Sequence, residues 1–235
     1  MVDGGPFRWA KSSDPGARDV IALAASCDGE ALAAAVLELD ERQPDRRRHS
    51  VLLAGFDAVG TRCGLAQMGD ARAYLFRPAP MKPALPTPLA PRFCPEVVRE
   101  DGSGMVCLTW DHSTACDLVE MELLDRDEGR RRARRRVLTR GVGAEPPTRP
   151  DVLHVDLVPG DRLLLCSAEV WLALDDPAIA EVLASATDVD AACRALAGRA
   201  DSDRRALMVI EHTGAAAARG EGPSRELLRF GRDLT

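Results

Sequence analysis

Aromatic residues are scarce: one Tyr, five Phe and three Trp in 235 residues. A core in this chain is therefore built mainly from Leu, Val and Ala. Long apolar runs are also missing. None approaches the ~20 residues needed to span a bilayer as a helix, which excludes a helical membrane protein. The opening Met1-Val2-Asp3-Gly4-Gly5 lacks the basic end and apolar stretch of a signal peptide. No Cys-x-x-Cys pair occurs, which argues against structural zinc. The seven cysteines, several inside apolar strand-like segments, instead predict reduced, buried thiols in a cytoplasmic protein. Positive charge is in deficit, with 31 Lys and Arg against 37 Asp and Glu. That balance excludes a generic nucleic-acid binder and favours solubility. What the chain does have is length and 46% hydrophobic content, enough for one large domain or two small ones.

Val20 to Ser26 reads as a strand, and residues 30–41 as a helix with Ala31, Leu32, Ala35, Val36 and Leu39 on one stripe. Three short strands follow, over residues 50–56, 63–68 and 72–76. The turns between them predict an antiparallel meander. Seven prolines between Pro78 and Pro95 rule out regular structure there and predict a long surface loop. A strand is expected over residues 106–109. Helical pattern covers 114–124 and again 127–137, with Asp127 as the cap of the second piece. Residues 152–158 and 162–166 read as strands around the turn Pro159-Gly160-Asp161. Helices follow near 177–186, behind Asp175 or Asp176, and near 189–200. The last strand covers 206–211. No composition shift marks a second domain, so residues 1–213 form one domain, with 214–235 as a flexible tail.

Three segments, in order, carry a family resemblance. Gly69-Asp70-Ala71-Arg72-Ala73-Tyr74 is similar to a strand–turn–strand core of the form Gly-Asp-Ser-Arg-x-Tyr. Leu108-Thr109-Trp110-Asp111-His112-Ser113 opens a helical hairpin that continues to Arg136-Val137-Leu138-Thr139-Arg140-Gly141. Pro159-Gly160-Asp161 leads through a strand to Ser167, ahead of Trp171. On these motifs the chain resembles the metal-dependent PPM protein phosphatases (the phosphatase 2C class), as a degenerate bacterial member. The resemblance covers residues 64–211. It implies an α+β fold: a four-layer α-β-β-α sandwich of two antiparallel sheets flanked by helix pairs, here with a shortened N-terminal part. It also implies hydrolysis of phosphoserine or phosphothreonine by a hydroxide held between two Mn²⁺ or Mg²⁺ ions on Asp carboxylates.

Under that resemblance the metal motifs are thin. Residues 13–19 begin like the Ser-Asp-x-Gly opening that precedes the family's first acidic motif, but the Asn of that motif is missing and Asp19 is a doubtful substitute. Asp28-Gly29 stands for Asp-Gly-x-Gly-Gly without the later glycines. Ser167-Ala168-Glu169 stands for Ser-Asp-Gly, so Ala168 offers no ligand and Glu169 lies one place late. Asp203-Arg204 stands for Asp-Asn, and the Arg repels a divalent cation. The candidate metal ligands are thus Asp203, then Asp28 and Glu169, and the cofactor is none or weakly bound Mn or Mg. Asp70, Arg72, Asp111 and Ser167 read as motif residues of structural kind: Asp70 satisfying turn amides, Arg72 pairing with it, Tyr74 packing, and Asp111 or Ser113 capping a helix. Seven arginines fall between Arg130 and Arg140. Arg130, Arg131, Arg134 and Arg135 stack at i,i+4, so like charges repel and the segment needs anions. Glu120, Glu122, Asp125, Asp127 and Glu128 supply them internally, or else the strip docks an acidic or phosphorylated protein. The expectation is a pseudophosphatase serving as a regulatory or protein-binding module, with a kinase or phosphoprotein as partner and no nucleic acid or membrane. The alternative is a divergent, active Mn/Mg-dependent phosphatase.

Overall fold

The computed structural model describes residues 7–13, 19–42, 48–58, 60–78, 93–143, 148–200 and 203–214. Most of the proline-rich stretch and of the tail therefore lies outside the described residues. The chain opens with β1 (Phe7–Ser13), β2 (Val20–Leu23) and α1 (Gly29–Glu41). Next come β3 (Val51–Phe56), β4 (Arg62–Met68), β5 (Arg72–Arg77), β6 (Val97–Val98) and β7 (Gly104–Cys107). Helices α2 (Thr114–Glu120) and α3 (Arg126–Ala133) precede β8 (Asp151–Asp156) and β9 (Arg162–Cys166). The chain closes with α4 (Ala168–Ala173), α5 (Asp176–Ser185), α6 (Val189–Arg199) and β10 (Ala206–His212).

Two sheets result, ordered β1-β10-β9-β5-β7-β6 and β2-β3-β4-β8. Strand period 2 explains how they stack. On β9, Leu163 and Leu165 face the other sheet and meet Leu52, Ala54, Cys63 and Leu65. Leu164 and Cys166 face outward, onto Trp171, Ile179, Leu183 and Leu196 of the helices. On the far side Leu32 and Val36 of α1 cover Val51, Leu53, Ala66 and Met68. Three core layers between four structural layers make the α-β-β-α sandwich, built on small aliphatics as the composition demands.

Five helices carry side-chain N-caps at the expected third amide: Asp28 on Ala31, Ser113 on Cys116, Asp125 on Glu128, Asp175 on Ala178 and Asp188 on Ala191. Asp125, rather than Asp127, caps α3, because Glu122 at φ 60° ends the preceding helix early. Three elements escaped the sequence pattern, β1, β6 and α4. β1 pairs in full register with β10 despite alternating only weakly in polarity.

The expected meander is corrected. β3 and β4 pair antiparallel, but β5 lies in the other sheet, so the chain crosses the sandwich at Gly69-Asp70. Both strands are buried on both faces, which periodicity alone cannot assign to one sheet or two. The N-terminal part also departs from the expected pattern. β2 runs parallel to β3 through α1, while the other strand pairs are antiparallel. Among the described residues, that sheet's outer layer is α1 rather than a helix pair. No helix among the described residues is long and apolar enough to cross a membrane. All seven cysteines are free and six are buried.

Candidate functional site

The crossing at Gly69-Asp70 sets the site. Gly69 takes φ +104°, and a Cβ there would lie 2.3 Å from Ser50 Oγ, so only glycine lets the corner close onto Ser50. Ser50 Oγ then donates to Asp70 Oδ1 at 2.6 Å and accepts from the Asp70 amide at 2.9 Å. Asp19, just before β2, accepts the Ser50 amide at 3.0 Å. Trp171 Nε1 of α4 donates to the Asp70 carbonyl at 2.9 Å. One end of both sheets and α4 thereby meet at Asp70.

Arg136 enters this end of the sandwich from the link between α3 and β8. Its Nε and Nη2 bind Asp70 in a fork at 3.1 and 2.7 Å. Nη2 also reaches Asp19 Oδ2 at 2.8 Å, and Nη1 reaches Glu169 Oε1 at 3.1 Å. Burial pushes the Asp19 carboxyl up to about 6, against the pull of Arg136 and with the push of Asp70 and Glu169. Burial also opposes the charge on Arg136, but Asp70 first, then Asp19 and Glu169, overcome it and raise its pKa. Glu169 Oε2 is buried with no hydrogen-bond partner among the described residues.

A second network, buried at Arg72, Tyr74, Asp111 and Asp176, lies behind it. Arg72, 1% exposed, holds Asp111 through Nε at 2.9 Å and Nη2 at 2.7 Å. Its Nη1 donates to the Tyr74 hydroxyl at 3.0 Å, and its guanidinium stacks 3.7 Å from the Trp171 ring. Tyr74 passes the chain on to Asp176, which Arg126 also binds. This corrects one expectation, since Arg72 pairs with Asp111 rather than Asp70; of the two caps the sequence offered for α2, Ser113 is the one that accepts an amide. Beside it, the Gly69 amide donates to His112 Nδ1, so Nε2 carries the hydrogen given to Asp151 at 2.9 Å.

The metal motifs fare as follows. Asp28 Oδ2 caps α1 on an exposed surface. Asp203 is exposed and lies 3.7 Å from Arg204. Ala168 is fully buried and packs in the core, while Ser167 Oγ accepts the Ala206 amide at 3.0 Å and ties α4 to β10. Among the described residues, no three His, Cys, Asp or Glu side chains are grouped to hold a metal ion. Asp19, Asp70 and Glu169 do converge, but around a guanidinium that spreads them over three nitrogens. A divalent cation needs several oxygens directed at one point. The described residues do not fit a two-metal centre. Arg136 is indistinct in the sequence because it sits in a basic run; its one distinguishing signal is its place beside the Val-Leu-Thr-Arg segment.

The other arginines separate by direction. Arg130 Nη2 donates to the carbonyls of Trp171 and Leu174, the latter at 3.0 Å, and Arg134 donates to Leu172 at 3.2 Å. They satisfy carbonyls at the end of α4, where basic groups are favoured. Arg131 and Arg132 pair with Glu128 at 2.7 and 2.9 Å. Arg135 points outward, exposed.

No protein-family model matches the chain, and no curated protein matches it. Solved structures do. It is similar to the PPM Ser-Thr phosphatase MsPP from Mycobacterium smegmatis, in complex with cacodylate, at 26% identity and TM-score 0.56, over 79% of this chain and 72% of that one. It is similar to the Mycobacterium tuberculosis serine/threonine phosphatase PstP/Ppp at 18% identity and TM-score 0.59, over 88% and 99%. PppA of Pseudomonas aeruginosa matches at 19% identity and TM-score 0.59, over 88% and 98%. A structure of the catalytic domain of the phosphatase PstP holds two manganese ions. With its two sheets, its layer order and these neighbours, the chain has the fold of the PPM serine/threonine phosphatases.

Proposed function

We propose that this is a PPM-type phosphatase-like domain without ordinary two-metal chemistry, acting as a pseudophosphatase: a regulatory or protein-binding module. One observation carries the reading, the Arg136 guanidinium bound to Asp19, Asp70 and Glu169 at the crossing between the sheets. Two-metal hydrolysis requires a set of hard oxygen donors that neutralises both ions and leaves room for the attacking oxygen. Here Asp28 is engaged in a cap, Asp203 sits exposed beside Arg204, and Ala168 contributes no oxygen. The partner is a protein, met in the cytoplasm, for which Arg131 and Arg135 offer the outward part of the basic strip.

The second reading is a divergent Mn/Mg-dependent phosphatase. Glu169 Oε2, buried without a partner, and the 26% identity to a PPM Ser-Thr phosphatase favour it. Calorimetric titration with Mn²⁺ and Mg²⁺, run beside turnover assays on an aryl phosphate and a phosphothreonine peptide, separates the two. The expected result is neither binding nor turnover at millimolar metal. Metal-dependent turnover that vanishes in Asp203→Ala establishes the second reading instead.

A further inference from the structure

Resting on the reading of this end of the sandwich as metal-free, we propose that Arg136 is a built-in cation. Its guanidinium joins the acidic groups of both sheets in place of divalent ions, and the domain closes there with no metal at all. The three carboxylates come from the start of β2, the β4–β5 crossing and the first turn of α4, which are far apart in sequence. Without a shared cation they repel one another across a partly buried space. Arg136 supplies a charge that deprotonation does not remove, and its planar fork reaches several oxygens at once. Lysine, with one ammonium, binds fewer.

The backbone agrees. Arg136 adopts φ 47°, one of two non-glycine residues in the left-handed region among the described residues. An unbranched L-residue there is strained, and such strain persists where surrounding contacts determine it. Arg136 is so determined: five hydrogen bonds run from it to Asp19, Ser50, Asp70 and Glu169. The two departures at α4 are explained together. Ala168 faces the core, and Glu169, one residue on, turns its carboxylate to the guanidinium. Relative to a metal-binding turn, the acid has moved one place and its counter-ion is now an arginine.

The test uses the full chain and reads stability and Mn²⁺ uptake, not turnover. Wild type, Arg136→Gly and Arg136→Lys are melted with and without millimolar Mn²⁺ or Mg²⁺, and bound Mn²⁺ is counted by electron paramagnetic resonance. Glycine adopts the left-handed backbone without strain, a gain that opposes its greater freedom in the unfolded chain, so the loss that remains is dominated by the missing cation. The wild type is expected to take up no Mn²⁺ and to keep its Tm. Arg136→Gly should lose roughly 10 °C, regain part of it saturably with Mn²⁺, and fail to regain it once Asp70→Asn is added. Arg136→Lys should fall between the two. If Arg136→Gly does not fold alone, refolding in Mn²⁺ should rescue it. The proposal is overturned by Mn²⁺ uptake and a Tm rise in the wild type, by an Arg136→Gly protein as stable as wild type, or by one that is destabilised and indifferent to metal. Mn²⁺ uptake by a wild type without turnover would count against Arg136 alone, whereas turnover is what counts against the functional reading.

Discussion

Removing the carboxylate beside Arg72 gives the sharpest test of how this domain is held together. The side chains of Arg72 and Asp111 are 1% and 2% exposed. In Asp111→Leu the guanidinium keeps the Tyr74 hydroxyl and the Trp171 face but loses its forked partner. Breaking a buried pair from one side costs about 3–5 kcal/mol, because a charge stays behind uncompensated. The lower end applies here, since Asp176 lies 3.8 Å from Arg72 Nη1 and shields part of that charge. For a chain of this size the Tm should fall by roughly 6–12 °C. Burial pushes the Asp111 carboxyl up even against the pull of Arg72. Asp111 in turn holds the Arg72 guanidinium above its ordinary range despite burial, so each charge is sustained by the other, and removing both in Arg72→Met/Asp111→Leu should recover most of the loss. Urea denaturation of the two single variants and the double, followed by circular dichroism, closes the cycle. An Asp111→Leu cost under about 1 kcal/mol, or a double variant no better than that single one, refutes the reasoning.

Asp19 carries a pH signature. Its folded carboxyl, raised to about 6, holds a proton that the unfolded chain has released above about pH 4. Stability from this group is therefore full below about pH 4 and is lost as pH rises through 6, by about 3 kcal/mol. Asp19→Asn should lack that fall when both proteins are unfolded in urea at several pH values, and parallel profiles would contradict it. Gly69→Ala forces both a left-handed alanine and a clash with Ser50, and should cost about 2–4 kcal/mol by the same assay. Asp151→Asn should cost only about 1 kcal/mol at neutral pH, because the carboxylate is half exposed and screened. The hydrogen bonds from His112 and Arg140 overcome burial and hold that carboxyl low, so its contribution persists well into acid and is lost only as the carboxylate protonates.

Much of the scaffold was legible because its signals are local. Ser113 and Asp175, both offered by the sequence as caps, stand one place before their helices, and β9 is an unbroken apolar run after Arg162. Three motifs in the right order pointed to the fold that the structural neighbours share. What failed did so where local pattern is silent. β4 and β5 are equally apolar whether they pair or part, so the crossing at Gly69 was read as a hairpin. β1 acquires its place only by pairing with β10 at the other end of the chain.

The candidate site divides the same way. Ala168 and the misplaced Glu169 were visible as letters, because a missing carboxylate is missing in any conformation. Arg136 was not, since seven arginines within eleven positions are equivalent until their surroundings differ. The fold turns Arg130 and Arg134 onto the carbonyls of α4, leaves Arg131 with Glu128, and directs Arg136 among Asp19, Asp70 and Glu169. Composition and motif order are properties of the chain and by themselves indicated its layers, though not the crossing at Gly69 or the place of β1. Which carboxylates share a counter-ion depends on distances between residues up to 117 positions apart, and only the tertiary structure decides those.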